Sequence, residues 1–207
     1  MGNTNPKSQL RLALLSLLCF SVSGRAQSIL LTADNFSLRD GTAISFAGPT
    51  TISNGNIGLS PGAESAITGQ SNLTLTGGSV LTTGSATSQA RADLIAAQNT
   101  LAAMAFNPDL SGQDLVGMTL APSVYKFAAA AGLTGALTLD AQSQNNASWV
   151  FQIGTSLTTA INSTVTLINL GSNGGNDTAI YWNAGSEIVI GNNNTMIGNF
   201  ISGTSIT

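Results

Sequence analysis

Short alternations of apolar and polar residues recur along most of the chain. Leu137 and Leu139 alternate with Thr138, and the run STVTLIN (163–169) repeats the pattern. Successive side chains of a β-strand point to opposite faces, so each alternation predicts a strand with one apolar face. Glycine- and asparagine-rich turns separate these runs. Many short strands of this kind predict a mainly β domain, built as a sandwich, a barrel or a coiled solenoid.

One segment has a helical period instead. Its apolar residues recur every three or four positions, at Ala90, Leu94, Ala97, Leu101 and Met104. This stripe predicts one α-helix over about residues 86–106, which must lie along a β-surface to bury its apolar side. We expect Ser85 or Thr87 to cap its start, Asn107-Pro108 to end it, and Asp93 to face solvent.

The first 26 residues have the pattern of a secretory signal peptide. Lys7 and Arg11 precede an apolar run (12–22), and Ala26 occupies a small-residue position typical of a cleavage site. The run is too short to span a bilayer comfortably, although a retained anchor is the alternative interpretation. We therefore predict a secreted protein with a mature domain over residues 27–207.

Composition narrows the possible functions. Only 7% of the residues are charged while 43% are hydrophobic, so the chain is expected to fold. The chain after residue 26 contains nine acidic residues and three basic residues, Arg39, Arg91 and Lys126. Its net charge is therefore near −6. A chain with this balance has no basic patch for nucleic acid, and we expect no such partner.

The usual catalytic and metal-binding residues are scarce. The chain has no histidine, and Cys19, its one cysteine, lies in the predicted signal peptide. Zinc, haem and Ser-His-Asp sites are thereby excluded in their usual forms. Glycoside hydrolysis needs two carboxylates across a groove, and no local pair is present. We therefore predict no enzyme activity, no cofactor and no metal; the glycine-rich run 171–177 is expected to be a plain turn.

Several motifs occur in an order that resembles a known family. They are NGNIGLSPG (54–62), QARADL (89–94), LAPSVYKF (120–127), GLTGALTLDAQ (132–142), ASWVFQIGTSLTTA (147–160), STVTLIN (163–169) and AIYWNAGSEIVIG (179–191). Over roughly residues 33–207 the chain resembles the microbial ice-binding proteins, also called the ice-binding-like adhesin domain. The resemblance implies a discontinuous right-handed β-solenoid of triangular cross-section, with one long α-helix packed along it.

The resemblance also implies a function. Members of this family bind ice through one flat solenoid face and need no cofactor, so the expected partner of this chain is an ice crystal surface. The candidate ice-binding residues are outward strand positions: Thr51, Ser53, Thr138, Thr158, Thr164, Thr166 and Thr195.

Two further expectations follow from the resemblance. The alternative function is an extracellular adhesive or structural solenoid without ice affinity, which Arg39, Lys126 or Glu187 on the candidate face would favour. The family usually continues for several dozen residues beyond the motif that ends at Thr207, so the chain is expected to lack the family's C-terminal coils. We expect a monomer that has no membrane partner after signal cleavage.

Overall fold

The computed structural model describes residues 29–40, 43–46, 50–53, 56–82 and 84–207. The predicted signal peptide lies outside these ranges. The described strands are β1 (Phe36–Asp40), β2 (Ile44–Ser45), β3 (Thr50–Ser53), β4 (Asn56–Leu59), β5 (Ile67–Thr68), β6 (Leu73–Thr76), β7 (Val80–Leu81), β8 (Thr119–Leu120), β9 (Ser123–Phe127), β10 (Ala131–Leu133), β11 (Ala136–Asp140), β12 (Ser148–Ile153), β13 (Leu157–Thr159), β14 (Thr164–Ile168), β15 (Ala179–Ala184), β16 (Glu187–Ile190), β17 (Asn199–Ser202) and β18 (Ser205–Ile206). The α-helix α1 spans Ser85–Ala103, and short 3₁₀ helices span Leu31–Asn35, Glu64–Ala66 and Gln70–Asn72.

From β8 onward the chain visits three parallel sheets in turn. Sheet A contains β8, β11 and β14; sheet B contains β9, β12, β15 and β17; sheet C contains β10, β13, β16 and β18. Three circuits of the chain each add one strand to each sheet, and the last circuit adds β17 to sheet B and β18 to sheet C. Successive circuits therefore stack as coils. Every strand pair among the described residues is parallel. The prediction of a mainly β chain with one long helix is confirmed.

The strands before α1 form three smaller parallel sheets. Strands β1, β4 and β7 pair in one, β2 and β5 in the second, and β3 and β6 in the third. They enclose a separate apolar cluster that includes Ile44, Phe46, Ile57, Leu59 and Ile67. The chain therefore stacks coils both before and after its helix.

The inward side of sheet B carries a column of stacked aromatic rings. Tyr125, Phe151, Trp182 and Phe200 lie on neighbouring strands, with ring centroids separated by 5.5, 4.1 and 6.0 Å in turn. Parallel in-register strands place side chains of the same face directly above one another, which is why these rings meet. Trp149, on the same side of β12 as Phe151, is fully buried, as are Phe151 and Trp182.

Helix α1 covers the outward side of sheet B. The predicted stripe is confirmed, because Ala90, Ala97 and Leu101 are buried in one cluster with residues of sheet B. The helix begins one residue before the predicted start and ends three residues before the predicted end. At its C-terminal end, the carbonyls of Leu101 and of the C-cap residue Met104 accept hydrogen bonds of 2.8 Å from Gln152 Nε2 of β12.

The capping prediction for α1 was wrong. The N-cap residue is Gly84, which has no side chain to accept a bond, and Ser85 already lies inside the helix. The Thr87 hydroxyl is turned backward and donates to the Gly84 carbonyl at 3.0 Å. Neither Ser85 nor Thr87 therefore occupies the N-cap position.

The predicted exposure of Asp93 was also wrong. Asp93 is only 8% exposed, because the 3₁₀ helix Leu31–Asn35 packs against this part of α1. One carboxylate oxygen accepts bonds from the hydroxyl and the backbone N–H of Thr32, and the other accepts from Gln89 Nε2 at 2.8 Å. The Thr32 hydroxyl, followed by the Gln89 amide, holds the pKa of Asp93 below its ordinary value. A chain segment far away in sequence thus supplies the donors for this carboxylate.

Candidate functional site

The outward side of sheet A carries short side chains in two rows. In the first row Thr119, Thr138 and Thr166 are register partners across β8, β11 and β14. The second row contains Ala136, Thr164 and Thr195, in which Thr195 joins through an isolated parallel bridge to Thr164. We call these six residues the threonine face.

The alternation seen in the sequence turns these side chains outward. Leu137, Leu139 and Val165 occupy the intervening positions of β11 and β14, and all three are buried in the hydrophobic core between the sheets. Since neighbouring strand residues point to opposite faces, burial of these three side chains directs the threonines to solvent. Removing apolar area from water therefore fixes which side of sheet A is exposed.

The threonine face presents a regular array of hydroxyl and methyl groups. Rows run across strands at about 4.7–4.9 Å, and alternate residues along one strand lie about 6.6–6.8 Å apart. Among the described residues, none of the five threonine hydroxyls bonds to another protein group. Threonine is branched at Cβ, so few rotamers are accessible on a strand. The face therefore offers ordered hydroxyls that are free to bond to water.

Among the side chains that the structure describes, charge is found only at the end of this surface. Asp140 follows the threonine rows on β11, and its Oδ1 accepts bonds from Gln142 N at 2.8 Å and Asn169 Nδ2 at 2.9 Å. Lys126 lies on sheet B, where its Nζ is 4.9 Å from the centre of the Phe106 ring. The array itself is therefore neutral.

The other two charged residues named from the sequence have different positions. Glu187 begins β16 on sheet C and is exposed. The Arg39 side chain lies outside the described part of the structure. Neither Lys126 nor Glu187, which would have favoured adhesion, lies on the threonine face.

The structure brings together four of the seven residues predicted from the sequence. Thr138, Thr164, Thr166 and Thr195 share the threonine face. Thr158 is exposed on sheet C, where its register partners are Gly132 and Val189.

The two earliest candidates lie before the helix. Thr51 and Ser53 are on β3, opposite Thr74 and Thr76 of β6, and their own side chains lie outside the described part. Their assignment to an ice-binding surface stays a prediction.

Sequence reasoning missed two members of the threonine face, Thr119 and Ala136. A signal for Thr119 was present, because the dipeptide Thr-Leu at 119 recurs at 138 and 166. Ala136 carries no such signal, since a single alanine before a strand has no distinctive pattern. Its place follows only from its register with Thr164.

Asp109 and Asp114, which lie outside the face, accept hydrogen bonds from residues of adjoining turns. Backbone and side-chain bonds at Ser111 hold the pKa of Asp109 low, and N–H groups of Val116 and Thr134 lower the pKa of Asp114 despite its partial burial. Run 171–177 is a turn, as predicted.

Within the described ranges no three of His, Cys, Asp and Glu are grouped to hold a metal. No helix in those ranges has the length and apolarity to cross a membrane.

Comparison with known proteins identifies the family. A family model described as Ice-binding-like matches residues 39–207. An ice-binding protein of Nostoc sp. (strain HG1) is 37% identical, in an alignment that covers 100% of this chain and 74% of that protein.

Solved structures of ice-binding proteins have the same fold as this chain. The ice-binding protein of the Antarctic ascomycete Antarctomyces psychrotrophicus superposes with a TM-score of 0.74 at 26% identity, covering 86% of this chain and 93% of that one. An ice-binding protein from an Antarctic biological consortium gives a TM-score of 0.75 at 25% identity, covering 86% and 85% of the two chains. The threonine face thus lies on a mainly β scaffold that these proteins share, and the chain belongs to the ice-binding-like family.

Proposed function

We propose that this protein binds ice through the threonine face and thereby restrains ice growth and recrystallisation. The observation that carries the proposal is the pair of register-aligned rows, whose hydroxyl and methyl groups are free of charge and of protein partners. Family membership and the ice-binding relatives support the same function.

The chemistry of the face suits an ice surface. Ice is a neutral, periodic array of water molecules, so a charged side chain gains little there and retains its own hydration shell. Threonine offers a hydroxyl that bonds to water and a methyl group that water surrounds. Because its rotamers are already restricted, little conformational entropy is lost on adsorption. A regular array of this kind holds water in an order that a growing crystal can accept.

The repeated circuit supports a finer description of the fold. We propose that the coils wind as a right-handed β-solenoid of triangular cross-section, since three sheets are visited in cyclic order. Parallel crossover connections are right-handed in about 98% of cases. The solenoid is discontinuous because α1 separates β1–β7 from β8–β18.

The site assignment is also a proposal. We assign ice contact to Thr138, Thr164, Thr166 and Thr195 from the original prediction, and we add Thr119 and Ala136. We propose that Thr158 lies outside the contact surface.

Other properties follow from the proposed role. We propose that residues 27–207 form one domain that acts outside the cell after removal of residues 1–26. It acts as a monomer without a cofactor, catalyses no reaction, and has no nucleic-acid or membrane partner. The lack of histidine supports the absence of zinc, haem and Ser-His-Asp sites, and the acidic balance after residue 26 supports the absence of a nucleic-acid partner.

Partition into growing ice tests the proposal. A dilute solution of the protein is frozen slowly on a cold probe, and the ice and liquid fractions are assayed together with an unrelated protein of similar size and charge. Ice binding enriches this protein in the ice fraction while the control is excluded. Equal exclusion of both proteins, with this protein shown to be folded, would support the adhesive or structural alternative.

A further inference from the structure

A buried hydrogen-bonded cluster lies at the corner between sheet C and the threonine face. It consists of Thr159 at the end of β13, Ser163 immediately before β14, and Asn194 immediately before Thr195. Thr159 is 3% exposed and Ser163 is fully buried. We call these three residues the corner clamp.

The corner clamp links three successive coils. The Thr159 Oγ1 atom accepts bonds from Gly191 N at 3.0 Å and from Asn194 Nδ2. Asn194 Oδ1 accepts a bond from Ser163 N at 2.7 Å. Ser163 Oγ in turn donates to the Leu133 carbonyl of the preceding coil at 2.8 Å. Every link is a short contact between buried or half-buried groups, where water competes weakly.

Sequence neighbours of the clamp belong to the threonine face. Ser163 precedes Thr164 and Asn194 precedes Thr195. Thr195 is part of no strand; its bridge consists of Thr195 N donating to Ser163 O at 3.0 Å and Val165 N donating to Thr195 O at 2.9 Å. The backbone also joins this segment to the preceding coil through Asn162 N, which donates to the Asn192 carbonyl at 3.0 Å. The Asn194 side chain adds two further hydrogen bonds, one to Ser163 and one to Thr159.

The polar character of Thr159 needs an explanation that packing does not supply. Its register partners on the neighbouring strands, Leu133 and Ile190, are apolar side chains of the same interior face. Valine has nearly the same shape as threonine and would fill this place equally well. The hydroxyl accepts a bond from Asn194 Nδ2 and one from Gly191 N, which also donates to the Thr159 carbonyl at 3.2 Å. Valine would leave the Asn194 amide without this acceptor.

We propose that Thr159, Ser163 and Asn194 are positioning residues that fix the Thr164–Thr195 row in the plane of the threonine face. The inference rests on the proposed function, since the row is taken to contact ice. A flat array matches a crystal only if its members share one height and spacing, and supporting hydrogen bonds are the general means of holding such groups in place. The clamp supplies that support where the strand ladder of sheet A has already ended.

The test compares Thr159→Val with Thr159→Ser, alone and combined with Thr195→Ala. Valine keeps the shape and removes the acceptor, whereas serine keeps the acceptor. We expect Thr159→Val to reduce recrystallisation inhibition by about fivefold, the factor that corresponds to one net hydrogen bond. Thr159→Ser should restore most of that activity. In the Thr195→Ala background, Thr159→Val should cause no further loss, because the residue acts through Thr195.

A second measurement, made without ice, tests how firmly the clamp holds the backbone of Thr195. Amide hydrogen exchange at Thr195 should be faster in Thr159→Val than in the wild type, while exchange in the core of sheet B stays unchanged. Full ice activity in folded Thr159→Val, or an equal loss in both Thr195 backgrounds, would overturn the inference while the wild type still binds ice. A wild type without ice activity would instead overturn the proposed function and the inference with it.

Discussion

Replacing Thr138 with tyrosine puts an aromatic ring at the centre of the threonine face. Thr138 has Thr119 on one side and Thr166 on the other, as register partners on adjacent strands. These partners are only about 4.7–4.9 Å away, so a ring that rises from position 138 holds a flat surface away from both. One substitution thereby removes a whole row from contact.

The expected loss of ice affinity follows from the number of threonines in this row, which is three. Each of the three threonines loses the contact of one methyl group, at about 0.8 kcal/mol each, so the loss is about 2.4 kcal/mol or roughly 50-fold weaker adsorption. Stability should change little, by less than about 0.5 kcal/mol, since the site is on the surface. Tyrosine is also well accepted in strands.

The assay is the lowest protein concentration that stops recrystallisation of fine-grained ice, measured beside the thermal unfolding midpoint. Thr158→Tyr is the matched control, because Thr158 is also an outward threonine in the middle of a parallel strand but lies on sheet C. We expect Thr138→Tyr to need a far higher concentration than the wild type, and Thr158→Tyr to match the wild type.

Two results would refute this reasoning. Equal activity of Thr138→Tyr and the wild type would remove sheet A from the binding surface. A loss confined to Thr158→Tyr would place the binding surface on sheet C instead.

Three further predictions concern the scaffold. The bond from Thr32 lowers the pKa of Asp93 in the folded protein below its unfolded value of about 3.9. The stability contributed by that carboxylate is therefore present above about pH 4 and is lost as the pH falls through the folded pKa. Asp93→Asn should therefore unfold at a lower temperature than the wild type at pH 7, with a difference that shrinks toward pH 2, whereas Glu187→Gln on the surface should change little. Gln152→Ala leaves two carbonyls at the end of α1 without their donor and should cost about 2–4 kcal/mol in urea unfolding, and an unchanged midpoint would contradict this role. Trp182→Ala breaks the buried aromatic column and should cost about 3–5 kcal/mol by the same measurement, with a cost below 1 kcal/mol as the contrary result.

Local patterns were sufficient to predict individual strands and the helix. The alternation of Leu137, Thr138 and Leu139 depends only on which side of a strand is buried, and the structure confirms it. The helical stripe likewise depends on spacing within one segment. These features carry over from sequence because the period of the side chains is a property of the local backbone.

Membership of one face could not be predicted in the same way. Thr158 has the alternation of a strand residue, yet it lies on a different sheet from Thr138 because the chain turns two corners, one on each side of β12, between the two residues. The lengths of those corner turns decide which strands become neighbours, and no fixed repeat in the sequence records them. Ala136 was missed for the same reason, because only its register with Thr164 places it on the face.

Polar residues with distant partners were the other source of error. Asp93 has the spacing of an exposed helix position, but its partner Thr32 lies 61 residues earlier. The polar side chain of Thr159 is explained only by donors 32 and 35 residues later, at Gly191 and Asn194. Such contacts require the assembled fold, and single-segment patterns do not contain them.

The growth of single ice crystals in the presence of the wild-type protein tests the central claim most directly. Crystals are held slightly below the melting point and their shape and size are followed under a microscope. Adsorption through the threonine face predicts faceted crystals whose growth stops. Rounded crystals that grow as fast as in buffer, with a protein whose unfolding transition shows it to be folded, would contradict ice binding by this chain.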